Sequence, residues 1–426
     1  MRDRGGRGAP GGATVSLTAG VAVRTVEVPA GTPLAGFAGR LSANTGVHDP
    51  TSVRALVLDE VAIVTVDVCA LHERTCAAIE AASGLTTVVV TATHTHSGPS
   101  VGCGRVGPHA PQVHDAIVDA ALAALHEAAD RRRPVTVDWA QVHGLGVAHD
   151  RRHLGRPIDP PLVALRFTDS GTQETIATLA SYPCHPVVLD ATNTLVTADY
   201  VHPLRAGVED STAAPCVFLT GAAGDVNTGH EATSSFGTQK TPQRTFEQAE
   251  TLGGRIAAGL EAALWAPVEA RIATALSEGL VFDYEPLTQA RVDARRAEWE
   301  TQLADSDPGQ RAVLTCWIAW AEDWRPEWLT ERWAGRVTCI DLGGATVLML
   351  PGEPFLWAAD TLMGVRPRVM VAGYADGVAG YLPTSDAYPE GGYEVEDACM
   401  YYAMPAPFAL GSLERAVEVA RSLLEA

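Results

Sequence analysis

Four apolar runs in the chain each end in a short loop that carries a histidine, an aspartate or a glutamate. TTVVVTA runs into Thr93-His94-Thr95-His96-Ser97-Gly98-Pro99, and TIATLASYP into Cys184-His185-Pro186. VFLTGAA runs into Gly224-Asp225-Val226-Asn227, and ATVLML into Pro351-Gly352-Glu353. A core histidine or a capping carboxylate explains any one of these. Four in the same context fit convergence on one site, because α/β sheets build their sites at the carboxyl ends of strands. Two histidines and a glutamate are the ligand set of a hydrolytic zinc centre with one open position. Imidazole and carboxylate suit Zn²⁺, and the lack of a thiolate cluster argues against a structural zinc. If the strand persists through them, His94 and His96 point to opposite sides, so that one ligates and the other faces the substrate.

The elements that must hold these loops are legible as periodic segments. Residues 13–30 read as β, followed by the runs VRALVLD and VAIVTVDV, a helix at about 71–83 and the run ending in THTH. That order predicts a βαβ unit. Helical periodicity covers 112–129 and 247–264, with strand-like PVTVDWAQVHGLGVA and PPLVALRFTD between them. RVTCIDLGGATVLMLPGE reads as a hairpin turned by Gly-Gly, and 411–425 as a closing helix capped by Ser412. A segment at about 286–333 stands apart by its charge and tryptophan content. Trp317, Trp320, Trp324 and Trp328 are spaced to share one face of a helix. They read either as a core-packing stripe or as a roof with aromatic walls over a pocket.

Composition bounds the function. Against 31 Lys plus Arg stand 51 Asp plus Glu, a net charge of −20 that repels phosphate backbones and anionic lipid surfaces. No nucleic-acid partner is expected. No apolar stretch approaches the roughly 20 residues of a membrane span, so no stable membrane insertion is expected. The basic start MRDRGGRGAPGGATVSL lacks an apolar run behind it, so residues 1–14 are expected to be a flexible N-terminus rather than a signal peptide. Eight scattered cysteines without a CxxC pair, several of them in apolar runs that read as buried, fit a reducing cytoplasm.

The chain resembles the catalytic N-terminal domain of the neutral, non-lysosomal ceramidase family. The likeness runs from about residue 35 to about residue 402, through GVHDP (46–50), a strand ending in Asp67 and THTHSGP (93–99). It continues through HDRR (149–152), His185-Pro186, TADY (197–200), GAAGDV (221–226), PGE (351–353) and GYLPTSDAYPEGGYE (380–394). The resemblance implies zinc held by His94, His185, Glu353 and Tyr381, with Tyr393, His96 and Arg151 around the scissile amide. Tyr393 lies twelve residues beyond Tyr381, the family's spacing. Asp225 would orient a ligand or a loop amide.

Three features depart from the family. Asn227 stands where the family has a serine, no C-terminal immunoglobulin-like domain is expected, and the Trp-rich segment has no counterpart. The fold expected is α/β: one large domain over 15–426, of mixed β-sheets flanked by helices, with the Trp-rich segment as a helical insertion. The function expected is a zinc-dependent amidohydrolase acting on an N-acyl amide other than ceramide. Two alternatives are metal-dependent cyclisation or acyl transfer on a small metabolite, and a non-catalytic binding protein on a decayed ceramidase fold.

Overall fold

Residues 16–235 and 242–426 are described by a computed structural model; the segment 1–14, expected to be flexible, lies outside them. The larger sheet contains β1 (Thr18–Val26), β2 (Thr51–Leu58), β3 (Val61–Val66), β4 (Thr87–Ala92), β5 (Arg133–Val142), β6 (Leu162–Asp169), β7 (Thr175–Tyr182) and β8 (Cys216–Thr220). Their spatial order is β8-β7-β6-β5-β1-β2-β3-β4. The expected βαβ unit is β3, helix α1 (Glu73–Ser83) and β4, with β4 parallel to β3 in the register Val66↔Ala92.

Strand period two explains why both faces are apolar. In β3, Val61 and Ile63 join one buried cluster while Ala62, Val64 and Val66 join another. The latter packs on Ile79 of α1 and on Ile117 and Ala121 of α2 (Pro111–Asp130). Helices α3 (Val201–Thr212) and α4 (Phe246–Glu261) contribute Leu204 and Ile256 to a third cluster, together with Phe218 of β8.

The other cluster is shared with a second sheet, in the order β9 (Ala270–Phe282), β10 (Trp333–Gly343), β11 (Thr346–Met349) and β12 (Val369–Ala372). Leu56, Phe167 and Leu179 from the larger sheet meet Ile340, Val347 and Met370 from the smaller. The layers are therefore helices, sheet, sheet, helices, a mixed α/β domain of the expected class. The β10–β11 pair is the expected antiparallel Gly-Gly hairpin.

Two expectations need correction. Helix α5 (Gln289–Gln302) and helix α6 (Pro308–Asp323) form in the Trp-rich segment, but the stripe does not stay on one helix. Trp324 is extended and Trp328 sits in a separate 3₁₀ turn, Pro326–Thr330. Pro326 is the reason: it cannot continue the helix, and it disfavours helical backbone at Arg325. At the C-terminus, Ser412 is the first residue of the last helix rather than its cap; Gly411 occupies the cap position with no side-chain bond. No helix among the described residues is long and apolar enough to cross a membrane.

Candidate metal centre and active-site cavity

His94 follows β4, His185 follows β7, Glu353 follows β11, and Tyr381 pairs beside Glu353 in a short parallel bridge, Glu353↔Tyr381. The loops are pressed together. A Cβ on Gly224 would lie 2.6 Å from the Glu353 carbonyl, so only glycine lets the GAAGDV loop reach the PGE loop. The result is a buried triangle. Glu353 Oε2 lies 2.9 Å from His185 Nε2 and 3.2 Å from His94 Nε2. All three side chains are fully buried.

The orientation of both imidazoles is set from behind. His94 Nδ1 donates to the Cys69 carbonyl at 2.6 Å, and His185 Nδ1 donates to the Ala223 carbonyl at 2.6 Å. Each Nε2 therefore faces Glu353, with the three ligand atoms within 4.8 Å of one another. Tying the far nitrogen to a carbonyl is how a protein aims a metal-binding histidine.

The electrostatics ask for a cation. Burial opposes charge on His94, but the Glu353 carboxylate outweighs it and raises the imidazole to about 10. Burial likewise opposes charge on Glu353, yet the histidines hold it well below the usual carboxylate range. Burial, reinforced by Arg151, lowers His185 to about 4. The site thus demands positive charge beside Glu353. A divalent cation would meet that demand, and two imidazoles with one carboxylate are a donor set that fits one.

His94 and His96 do not diverge as a continued strand would require. The strand ends at Ala92, and His94 adopts φ +64°, which breaks the alternation. The two Nε2 atoms lie 3.3 Å apart. Gly36, at φ +97°, packs so tightly on this loop that a Cβ there would lie 2.5 Å from His96 Cγ.

Arg151 Nε bonds Glu394 Oε1 at 2.8 Å, while Glu394 Oε2 takes Arg152 Nη1 at 2.8 Å. The Arg151 guanidinium lies 5.2 Å from the Tyr381 ring centroid, and the Tyr393 ring is 5.8 Å from that of Tyr381. Buried Arg151 Nη2 and His96 Nδ1 have no protein partner.

His96, Arg151, Tyr381 and Tyr393 line one cavity of about 30 Å³, close to the space of a single water. Val313 and Trp317 of α6 also line it. Trp299, Trp320 and Trp324 pack into the core, and Trp317 reaches the cavity. Asp225 is not brought to that cavity. Its Oδ1 accepts the Leu356 N–H at 2.7 Å, at the start of helix α7 (Leu356–Met363), and burial raises its carboxyl to about 6.

Sequence reasoning missed four groups. Tyr402 donates its hydroxyl to Glu353 Oε1. The Tyr374 ring lies 4.4 Å from that of His94, and its buried hydroxyl has no protein partner. Glu394 fixes Arg151, and its only signal was the Tyr393-Glu394 dipeptide. His230 lines the cavity because Asn227 holds its turn, donating to the His230 carbonyl at 2.7 Å and accepting the Gly229 N–H at 2.9 Å.

A sequence model of the family described as "Neutral/alkaline non-lysosomal ceramidase, N-terminal" matches residues 19–214. Two solved structures share the fold at TM-score 0.72. One is described as the crystal structure of neutral ceramidase from Pseudomonas aeruginosa, 15% identical, covering 96% of this chain and 74% of its own. The other is described as ceramidase complexed with C2, 16% identical, covering 96% and 75%. No curated protein matches the chain. The chain therefore resembles the ceramidase catalytic domain, and its fold is that of the solved ceramidases.

Proposed function

We propose that the chain is a metal-dependent amidohydrolase that cleaves an N-acyl amide other than ceramide. The observation that carries this reading is the buried His94–His185–Glu353 triangle, each imidazole aimed by a backbone carbonyl. Zn²⁺ would be held by these three residues and Tyr381. When bound, it supplies a water of lowered pKa and polarises the amide carbonyl.

The chain's own groups do the rest. Arg151, fixed by Glu394, offers its free Nη2 to the developing oxyanion, with Tyr393 as a second donor on the same wall. His96 carries a proton to the leaving amine, and its unpaired Nδ1 leaves one ring nitrogen for that exchange. Tyr402 braces the free oxygen of Glu353. Asp225 holds the start of α7 and so the segment that follows Glu353. Asn227 is occupied with its own turn, so no side-chain nucleophile is used there. Eight unpaired thiols fit a reducing compartment, and we place the protein in the cytoplasm.

A second reading, acyl transfer or cyclisation on the same centre, is favoured by the Trp317 roof, which can keep bulk water out. Incubation with simple N-acyl amides in heavy-oxygen water separates the two. Label in the carboxylic acid product is expected. An unlabelled cyclic or transferred product would overturn hydrolysis.

A further inference from the structure

Beside the roofed cavity runs a second, larger space of about 590 Å³, within the range of about 300–1,000 Å³ typical of small-molecule sites. One wall is the loop carrying Leu34, Phe37 and Ala38. The other is α6 and the turn after it, with Ala319, Trp320 and Trp328. Leu41, at its edge, is 56% exposed, so the groove opens on the surface. Among the described residues on its walls only Arg40 and Asp323 are charged. Arg40 is already engaged, donating to the His96 carbonyl at 2.7 Å and to the Ala35 carbonyl at 2.9 Å.

The groove lies against the cavity that holds the chemistry. Phe37, Ala38 and Tyr401 line both spaces, so one layer of side chains separates them. The Phe37 ring sits edge-on to His96, centroids 4.9 Å apart. Two guanidiniums also approach it, Arg40 at 5.0 Å and Arg244 at 5.8 Å from its centroid. The small cavity has about the space of one water and none for a chain. An apolar chain attached to the amide has this groove directly beside it, with a lining that matches its chemistry.

We propose that the groove receives one apolar chain of the substrate, which makes the substrates single-chain N-acyl amides with a small group on the other side of the scissile bond. The proposal rests on the amide-hydrolase reading of the neighbouring centre. It gives the Trp-rich segment a role: α6 roofs the reacting atoms with Trp317 and walls the chain with Ala319 and Trp320.

The test uses two series of amides, N-methyl alkanamides and N-alkylacetamides, each from acetyl or methyl to dodecyl length. In one series kcat/KM should climb with chain length, by up to about fourfold per buried methylene. N-methyl lauramide and N-dodecylacetamide, each brominated near the chain terminus, provide a second readout, because Trp320 and Trp328 line the groove. The one whose chain enters should quench tryptophan fluorescence saturably. Ala319→Phe narrows the groove from an exposed helix position. It should weaken that quenching at least tenfold and lower the long-to-short kcat/KM ratio by the same factor. Turnover of short amides with no chain-length dependence and no quenching would overturn the groove and leave hydrolysis standing. Quenching that Ala319→Phe weakens, without turnover of any amide, would support the groove and overturn the hydrolytic reading. Quenching indifferent to Ala319→Phe, or a dimer in sedimentation that Ala319→Phe dissociates, would also overturn the groove.

Discussion

The floor and the roof of the cavity are built on different physics. On the floor, His94, His185, Glu353 and Arg151 sit at strand ends or in the loops between them, and each is fixed by a directional bond to a carbonyl, a phenol or a carboxylate. The roof presents apolar surface: Val313 and Trp317 of α6 face the cavity, and Trp317 leans on Trp299 with centroids 5.5 Å apart. The neighbouring Trp320 and Trp324 anchor it by donating their indole N–H groups to the Met404 and Pro405 carbonyls. Directional bonds fix where charge can reside. Packing fixes only shape. The floor should therefore set the chemistry and the roof should set which molecules reach it.

The largest effect expected is on the floor's foundation. Asp67 is buried, paired to Arg205 Nη1 and Nη2 at 2.8 and 2.7 Å, and bonded to Ser52 and Thr93 just ahead of His94. Asp67→Asn strands a buried guanidinium and should cost about 3–5 kcal/mol in urea unfolding. Burial would raise the Asp67 carboxyl, but Arg205 outweighs it and holds the pKa below 3.8. A depressed pKa stabilises the fold above the unfolded value and loses that contribution as pH falls through the folded one. The gap between wild type and Asp67→Asn should be full above pH 3.8 and shrink below it. A gap independent of pH would break the assignment.

Next comes Arg151→Ala, expected to lower kcat by roughly 10²–10³ with bound metal unchanged. Loss of metal instead would make Arg151 part of the centre's support rather than an oxyanion donor. Tyr402→Phe removes the hydroxyl on Glu353 and should weaken metal affinity by about 10–100-fold, read by competition with a chelator. The smallest effect belongs to the roof. Trp317→Phe should cost about 1 kcal/mol or less, keep the metal, and shift preference among amides of different bulk. If it altered metal affinity as Tyr402→Phe does, the division between floor and roof would fail.

The same division decided what was legible in the sequence. THTHSGP, the Glu353 loop and the parallel βαβ unit announced themselves because strand-end loops pair a periodic apolar run with a polar residue. The convergence of His94 and His96 was hidden, since it depends on a left-handed backbone at His94 that no spacing reveals. Tyr402 and Tyr374 lie in stretches without a chemical motif, and their roles arise from tertiary contact alone. The tryptophan stripe gave the helix, but the proline at 326 cut it, leaving Trp328 to a separate turn beside the groove.

The central claim is that the His94–His185–Glu353 triangle binds the catalytic metal. Elemental analysis of protein purified without chelators, wild type beside the His94→Ala/Glu353→Ala double variant, tests it most directly. About one zinc per chain in the wild type and only traces in a folded double variant are expected. Wild-type protein that hydrolyses amides without metal, or a double variant that retains full zinc, would contradict it.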